Sequence, residues 1–120
     1  MKHKIIWLTG LSGSGKSTLA NNLKKKLTIK NKKVKIIDGD KFRKENKIKN
    51  SFSKKNIYKN NISIIKKIYK IKHNYDFIVV SVISPLKKTR LIAKKTFGKC
   101  YFEVFVNCSI KELLNKIVLQ

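Results

Sequence analysis

The chain has one proline, two cysteines, two arginines and six carboxylate side chains in 120 residues. Each scarcity removes a class of protein. With Pro85 as the only proline, no internal repeat and no linker-like stretch, the chain reads as a single domain over 1–120 with a modest core. Cys100 and Cys108 lack Cys-x-x-Cys spacing and have no histidine near them, which argues against a disulfide framework or a zinc site and for free thiols. Long apolar runs are also missing. The stretch after the basic start, Ile5-Ile6-Trp7-Leu8-Thr9, is five residues long and suits neither a signal peptide nor a membrane span, so a cytoplasmic protein with no membrane partner is expected.

What the chain has in excess is lysine. The formal net charge is +24, and Arg43 and Arg90 are the only arginines. Lysine, isoleucine and asparagine are abundant together and share A/T-rich codons, so base composition is the more economical cause of the charge. Runs such as Lys24-Lys25-Lys26, Lys54-Lys55 and Lys94-Lys95 sit beside apolar periodic positions and read as solvated faces. Nucleic-acid readers interleave arginines and aromatics for base contacts and stacking, and these basic patches hold few of either. The composition therefore argues against a nucleic-acid partner.

Against that background one segment stands out. Gly10-Leu11-Ser12-Gly13-Ser14-Gly15-Lys16-Ser17-Thr18 follows an apolar run and precedes Leu19, Leu23 and Leu27 at helical spacing. This is a complete phosphate-binding P-loop between a strand and a helix. Glycines let the backbone wrap a polyphosphate closely, and the helix start adds N–H groups and a positive dipole end. Lys16 is expected to reach the β- and γ-phosphates of ATP, and the Ser17 hydroxyl to meet the magnesium ion bridging them. A plain strand-to-helix turn would need neither the lysine nor three glycines.

The rest of the chain alternates. Val34–Asp38 reads as a second strand, followed by a polar stretch to about Ser53. A helix follows, its faces marked by Ile62, Ile65, Ile68, Tyr69 and Lys72. Phe77–Ile83 reads as a strand covered on both faces, Lys87–Lys95 as a short basic helix, Tyr101–Val106 as a fourth strand and Lys111–Leu119 as a last helix. The order predicts an α/β fold: a mainly parallel sheet with helices on both faces and ligands at the carboxyl ends of the strands. Asp38-Gly39-Asp40 and Ile83-Ser84-Pro85 fall at such ends. Asp-Gly alone is a common turn; beside a P-loop, two of six acidic residues point to function.

These linked segments, Trp7 to Ala20, Asp38-Gly39-Asp40-Lys41-Phe42-Arg43, Phe52-Ser53, Asn60, Ile83-Ser84-Pro85 with Arg90, and Phe102–Val106, resemble the adenylylsulfate kinases. The resemblance implies a P-loop kinase fold, ATP with Mg2+, and transfer of the γ-phosphoryl to the 3′-hydroxyl of adenosine 5′-phosphosulfate. It implies that Gly10 to Thr18 hold ATP, that Ser17 and Asp38 hold the metal, and that Lys16, Asp40 and Ser84 act in catalysis. Asp38, Asp40, Arg43, Phe52, Asn60, Ile83 and Ser84 would bind the acceptor, Arg43 by gripping the phosphosulfate and Phe52 by packing on adenine. Taken alone, Phe52 reads as core, Asn60 as a surface residue and Ser84-Pro85 as a strand-ending turn.

The pattern also departs from the family. Asn56-Ile57 stand where the family has Asp-Arg, and Leu86-Lys87 where it has Tyr-Arg. Replacing a guanidinium by an apolar chain removes a charge-assisted contact worth about 2 kcal/mol. The chain is also expected to lack the family's lid and last strand, with Lys116-Ile117 standing near its Arg-Asp pair. Two alternatives stay open beside the kinase: an enzyme acting on another nucleotide-linked acceptor, and a nucleotide-binding protein without turnover. A homodimer completing the site is a further open arrangement.

Overall fold

The computed structural model describes residues 3–10, 15–45, 53–82 and 87–106. Four strands, β1 (Lys4–Thr9), β2 (Val34–Asp38), β3 (Phe77–Ser81) and β4 (Tyr101–Phe105), alternate with four helices, α1 (Lys16–Ile29), α2 (Gly39–Glu45), α3 (Lys54–Ile71) and α4 (Lys87–Phe97). The sheet order is β2-β3-β1-β4, and every pairing is parallel.

The apolar runs explain that order. Ile5, Ile6, Trp7 and Leu8 are all fully buried, as a strand flanked by β3 and β4 and covered on both faces must be. Alternate side chains serve opposite faces. Ile6, Leu8 and Val79 pack with Leu19, Ala20, Leu23 and Leu27 of α1. Ile5, Trp7, Ile78 and Val80 pack with Ile64, Ile65 and Ile68 of α3 and Ala93 and Phe97 of α4. Helices thus cover both faces, as the alternating pattern predicts.

The turn after α1 passes through Asn31, whose φ of 62° is the left-handed conformation that asparagine tolerates. α3 opens with Ser53 as its N-cap, the side chain accepting the Asn56 N–H at 3.3 Å. The amino ends of the strands are tied by Asp76. Its carboxylate accepts the Lys33 N–H at 2.7 Å, and its carbonyl accepts the Lys4 N–H at 2.9 Å.

One segment differs from the expectation. The stretch after Asp38, read as polar and irregular, begins with α2. Within those seven residues only Phe42 is a large apolar side chain, so hydrophobic periodicity gives no signal. The helix is set instead by capping. Asp38 Oδ1 accepts the N–H groups of Asp40 at 2.9 Å and Lys41 at 3.3 Å, the bonds an N-cap aspartate makes. The third strand is also shorter than expected, ending at Ser81. The helix expected over Lys111–Leu119 lies outside the described residues, as does Cys108. Cys100 is a free, half-buried thiol. Among the described residues, no helix is long and apolar enough to cross a membrane.

Candidate active site

The polar residues singled out in the sequence meet at the carboxyl ends of β1 and β2. Gly10 is buried at the end of β1. Gly15 precedes α1 with φ of 94°, a left-handed conformation suited to glycine, and its carbonyl accepts the first helical bond from the Leu19 N–H at 2.9 Å. Lys16 is 7% exposed, and its ammonium donates to the Gly10 carbonyl at 2.8 Å, so the cation is turned back toward the end of β1. Burial pulls its pKa below the ordinary lysine value, and the Asp40 and Asp38 charges oppose that shift. The charged form is thus supported by Asp38 at the end of β2 and Asp40 in the first turn of α2.

Ser17 faces Asp38. Its hydroxyl donates to Asp38 Oδ2 at 3.4 Å, while Asp38 Oδ1 caps α2. One carboxylate therefore performs two tasks with separate oxygens. The oxygen set of Ser17 and Asp38 fits a small hard cation such as magnesium, which takes few protein ligands and retains water.

α2 brings the remaining charges. Asp40, in its first turn, is ion-paired with Arg43 one turn later. Arg43 is buried, with a relative exposure of 8%, whereas the Asp40 side chain is largely open. The guanidinium thus braces an accessible carboxylate. Gly39 allows α2 to sit so close. A Cβ there would lie 3.1 Å from Val82 Cγ1 and 3.3 Å from the Ser81 carbonyl. Asn60 of α3 reaches the same place: it is 4% exposed, its amide donates to the Gly39 carbonyl at 3.5 Å, and its Oδ1 is buried without a hydrogen-bond partner among the described residues.

The structure therefore brings together Gly10, Lys16, Ser17, Asp38, Asp40, Arg43 and Asn60, with Gly15 and Thr18 exposed at the start of α1. Leu11, Ser12, Gly13, Ser14, Phe52, Ile83 and Ser84 lie outside the described residues. Sequence reasoning missed two supports. One is the capping of α2 by Asp38, which the run Asp-Gly-Asp-Lys carries as an N-cap signature. The other is a hydrogen bond from Asn61 of α3 to Thr89 of α4 at 3.3 Å between two buried side chains, which leaves no local signal in either segment.

With this geometry in place, comparison with known proteins is informative. The family model for adenylylsulphate kinase matches residues 2–116. The chain belongs to the adenylylsulphate kinase family. A probable adenylyl-sulfate kinase of Archaeoglobus fulgidus is 35% identical over 107 residues, covering 89% of this chain and 68% of the relative. That of Pyrococcus abyssi is 43% identical over 101 residues, covering 84% of this chain and 58% of the relative. The chain spans about half to two thirds of the length of such adenylyl-sulfate kinases. Among solved structures, the Mycobacterium tuberculosis APS kinase in complex with AMPPNP and APS superposes with a TM-score of 0.80 at 30% identity, covering 98% of this chain and 71% of that one. The P-loop kinase architecture that the resemblance implies is thus the family's own.

Proposed function

We propose that the chain transfers the γ-phosphoryl group of ATP to the 3′-hydroxyl of adenosine 5′-phosphosulfate, giving 3′-phosphoadenylyl sulfate and ADP. The observation that carries this reading is the buried Lys16 ammonium turned toward the end of β1, flanked by the Asp38 and Asp40 charges. Membership of the family supports the choice of reaction, and the likeness to a kinase holding AMPPNP and APS supports the choice of donor and acceptor.

In the reaction the bond between the γ-phosphorus and its bridging oxygen breaks, and a bond from the 3′-oxygen forms. Lys16 would stabilise negative charge on the β- and γ-phosphates, exchanging the Gly10 carbonyl for phosphate oxygens. Ser17 and Asp38 would hold magnesium, which when bound neutralises phosphate charge. Asp40, open to solvent and braced by Arg43, would orient the 3′-hydroxyl and receive its proton. A guanidinium has five N–H donors, so Arg43 can keep Asp40 and still meet a phosphosulfate. Asn60, with its buried unpartnered oxygen, would complete the acceptor side. Ser84, Ile83 and Phe52 belong to this proposal by resemblance.

The Ile57 substitution makes the acceptor the point to test. ADP release is measured with ATP, magnesium and a panel of nucleotide-linked acceptors. Turnover confined to adenosine 5′-phosphosulfate and abolished by Lys16→Ala is expected. Faster turnover of another acceptor would reassign the substrate, and no turnover on any acceptor would leave a nucleotide-binding protein.

A further inference from the structure

From the nucleotide site a furrow runs along the edge of the sheet. β2 is an outer strand of the four, and Lys35 and Ile36 on it line two adjoining cavities. The larger, about 520 Å3, lies between β2, α2 and α3 and is lined by Lys35, Lys41, Lys66, Lys67 and Lys70, with Glu45 among them. The smaller, about 380 Å3, shares Lys35, Ile36, Asp38 and Lys41 with it and opens onto Ser17 and Lys24 of α1, so it is the end of the furrow that belongs to the nucleotide site. In the other direction Ser63 and Lys66 are shared with a third hollow lined by Lys55 and Lys59 near the start of α3.

The sequence dictates this arrangement. On α3, residues 61, 64, 65 and 68 form the buried stripe, and residues 63, 66, 67 and 70 form the stripe turned away from it. With Lys59 the second stripe carries four lysines, and from Lys59 to Lys70 it runs about 16 Å along the helix. The edge of β2 supplies the opposing wall. A concave site with low-dielectric walls focuses the field of its charges, so this furrow attracts anions more strongly than an equally basic convex face.

The kind of anion follows from what the furrow lacks. No arginine lines these cavities among the described residues, so no guanidinium fork is available for base edges. Phe42 and Tyr58 are its aromatics; both are half-buried, and the Tyr58 ring has the Lys88 ammonium 4.9 Å from its centroid. Base stacking is therefore poorly served, while point charges repeat along the furrow. We infer that the α3 side of this furrow, lined by Lys59, Lys66, Lys67 and Lys70, binds a linear chain of phosphates without bases, that is, an inorganic polyphosphate.

The test is binding of a medium-length inorganic polyphosphate to the full chain, read by calorimetry at two salt concentrations. The triple variant Lys66→Glu/Lys67→Glu/Lys70→Glu is compared with Lys94→Glu/Lys95→Glu/Lys99→Glu, an equal charge change at exposed positions outside the furrow. Circular dichroism checks that both variants fold. Weakening by at least about tenfold is expected in the furrow variant and about threefold or less in the control, with affinity falling as salt rises. Lys16→Ala should leave polyphosphate affinity within about twofold. Equal loss in both triple variants would mean attraction by net charge alone. Loss on Lys16→Ala would put the phosphates in the P-loop. Tighter binding of a single-stranded oligonucleotide of matched charge would replace the ligand by nucleic acid. Each of these three results overturns the proposal.

Discussion

The two ends of the sheet use charge in opposite ways. At the carboxyl ends, cations and carboxylates are paired, Lys16 with the Asp38 and Asp40 charges and Asp40 with Arg43, and the Ser17 hydroxyl donates to Asp38. At the amino ends, His3 packs against His73 at 5.3 Å between ring centroids, and Lys72 lies close enough to repel a proton from His3. The carboxylate there, Asp76, is engaged with backbone, holding the entries to β1, β2 and β3 in register. In a chain of net charge +24, position rather than amount of charge separates an end built for chemistry from one built for stability.

That contrast can be broken at several points. The largest effect is expected at Asp40. Asp40→Asn should lower kcat about 100-fold to 10,000-fold by removing the carboxylate proposed to meet the acceptor, with ATP affinity nearly unchanged; single-turnover kinetics and calorimetry would separate the two. Next come the glycines. Gly39→Ala should cost about 1–3 kcal/mol in denaturant unfolding, because its Cβ would press on Val82 and the Ser81 carbonyl, and should depress activity by moving α2. Gly98, which leads into β4 with φ of 56° and open space around it, gives the matching change at the other end. Gly98→Ala should cost about 1 kcal/mol from backbone conformation alone and leave activity intact.

Asp76→Asn should be about as mild, destabilising by roughly 1–2 kcal/mol through loss of a charge-assisted bond to the Lys33 N–H, without a change in kcat. The smallest effect concerns His3. Burial first, then Lys72 and His73, lower its pKa below the ordinary 6.5, so the fold favours the neutral imidazole. As pH falls toward that ordinary value, the unfolded chain takes up the proton before the native one does, and stability declines. Unfolding midpoints of the wild type should therefore drop from about pH 7.5 to 5.5 more steeply than those of His3→Gln.

The parts of this molecule that were legible in the sequence are those written locally. The run Ile5 to Leu8 announces a strand buried on both faces, Leu19, Leu23 and Leu27 announce the inner face of α1, and Gly15-Lys16-Ser17 announces a phosphate loop. For α3 the isoleucines gave the helix but only part of its inner face. Ile62 is half-buried and Tyr69 exposed, whereas Asn60 and Asn61 are buried because α2 and α4 lie over them. The short helix α2 was illegible to periodicity because it is held by a cap and an ion pair rather than by an apolar stripe. Likewise, the burial of Arg43 leaves no local signal, because an arginine in a short polar helix reads as solvated until the tertiary arrangement covers it.

The central claim is that the carboxyl ends of β1 and β2 form a phosphoryl-transfer site dependent on the Lys16 ammonium. The most direct test follows label from γ-labelled ATP into adenosine 5′-phosphosulfate, comparing the chain with its Lys16→Ala variant, both shown to fold. Labelled 3′-phosphoadenylyl sulfate should form with the chain and fall at least about 100-fold in the variant. Absence of labelled product from the chain, or equal label from both proteins, would contradict it.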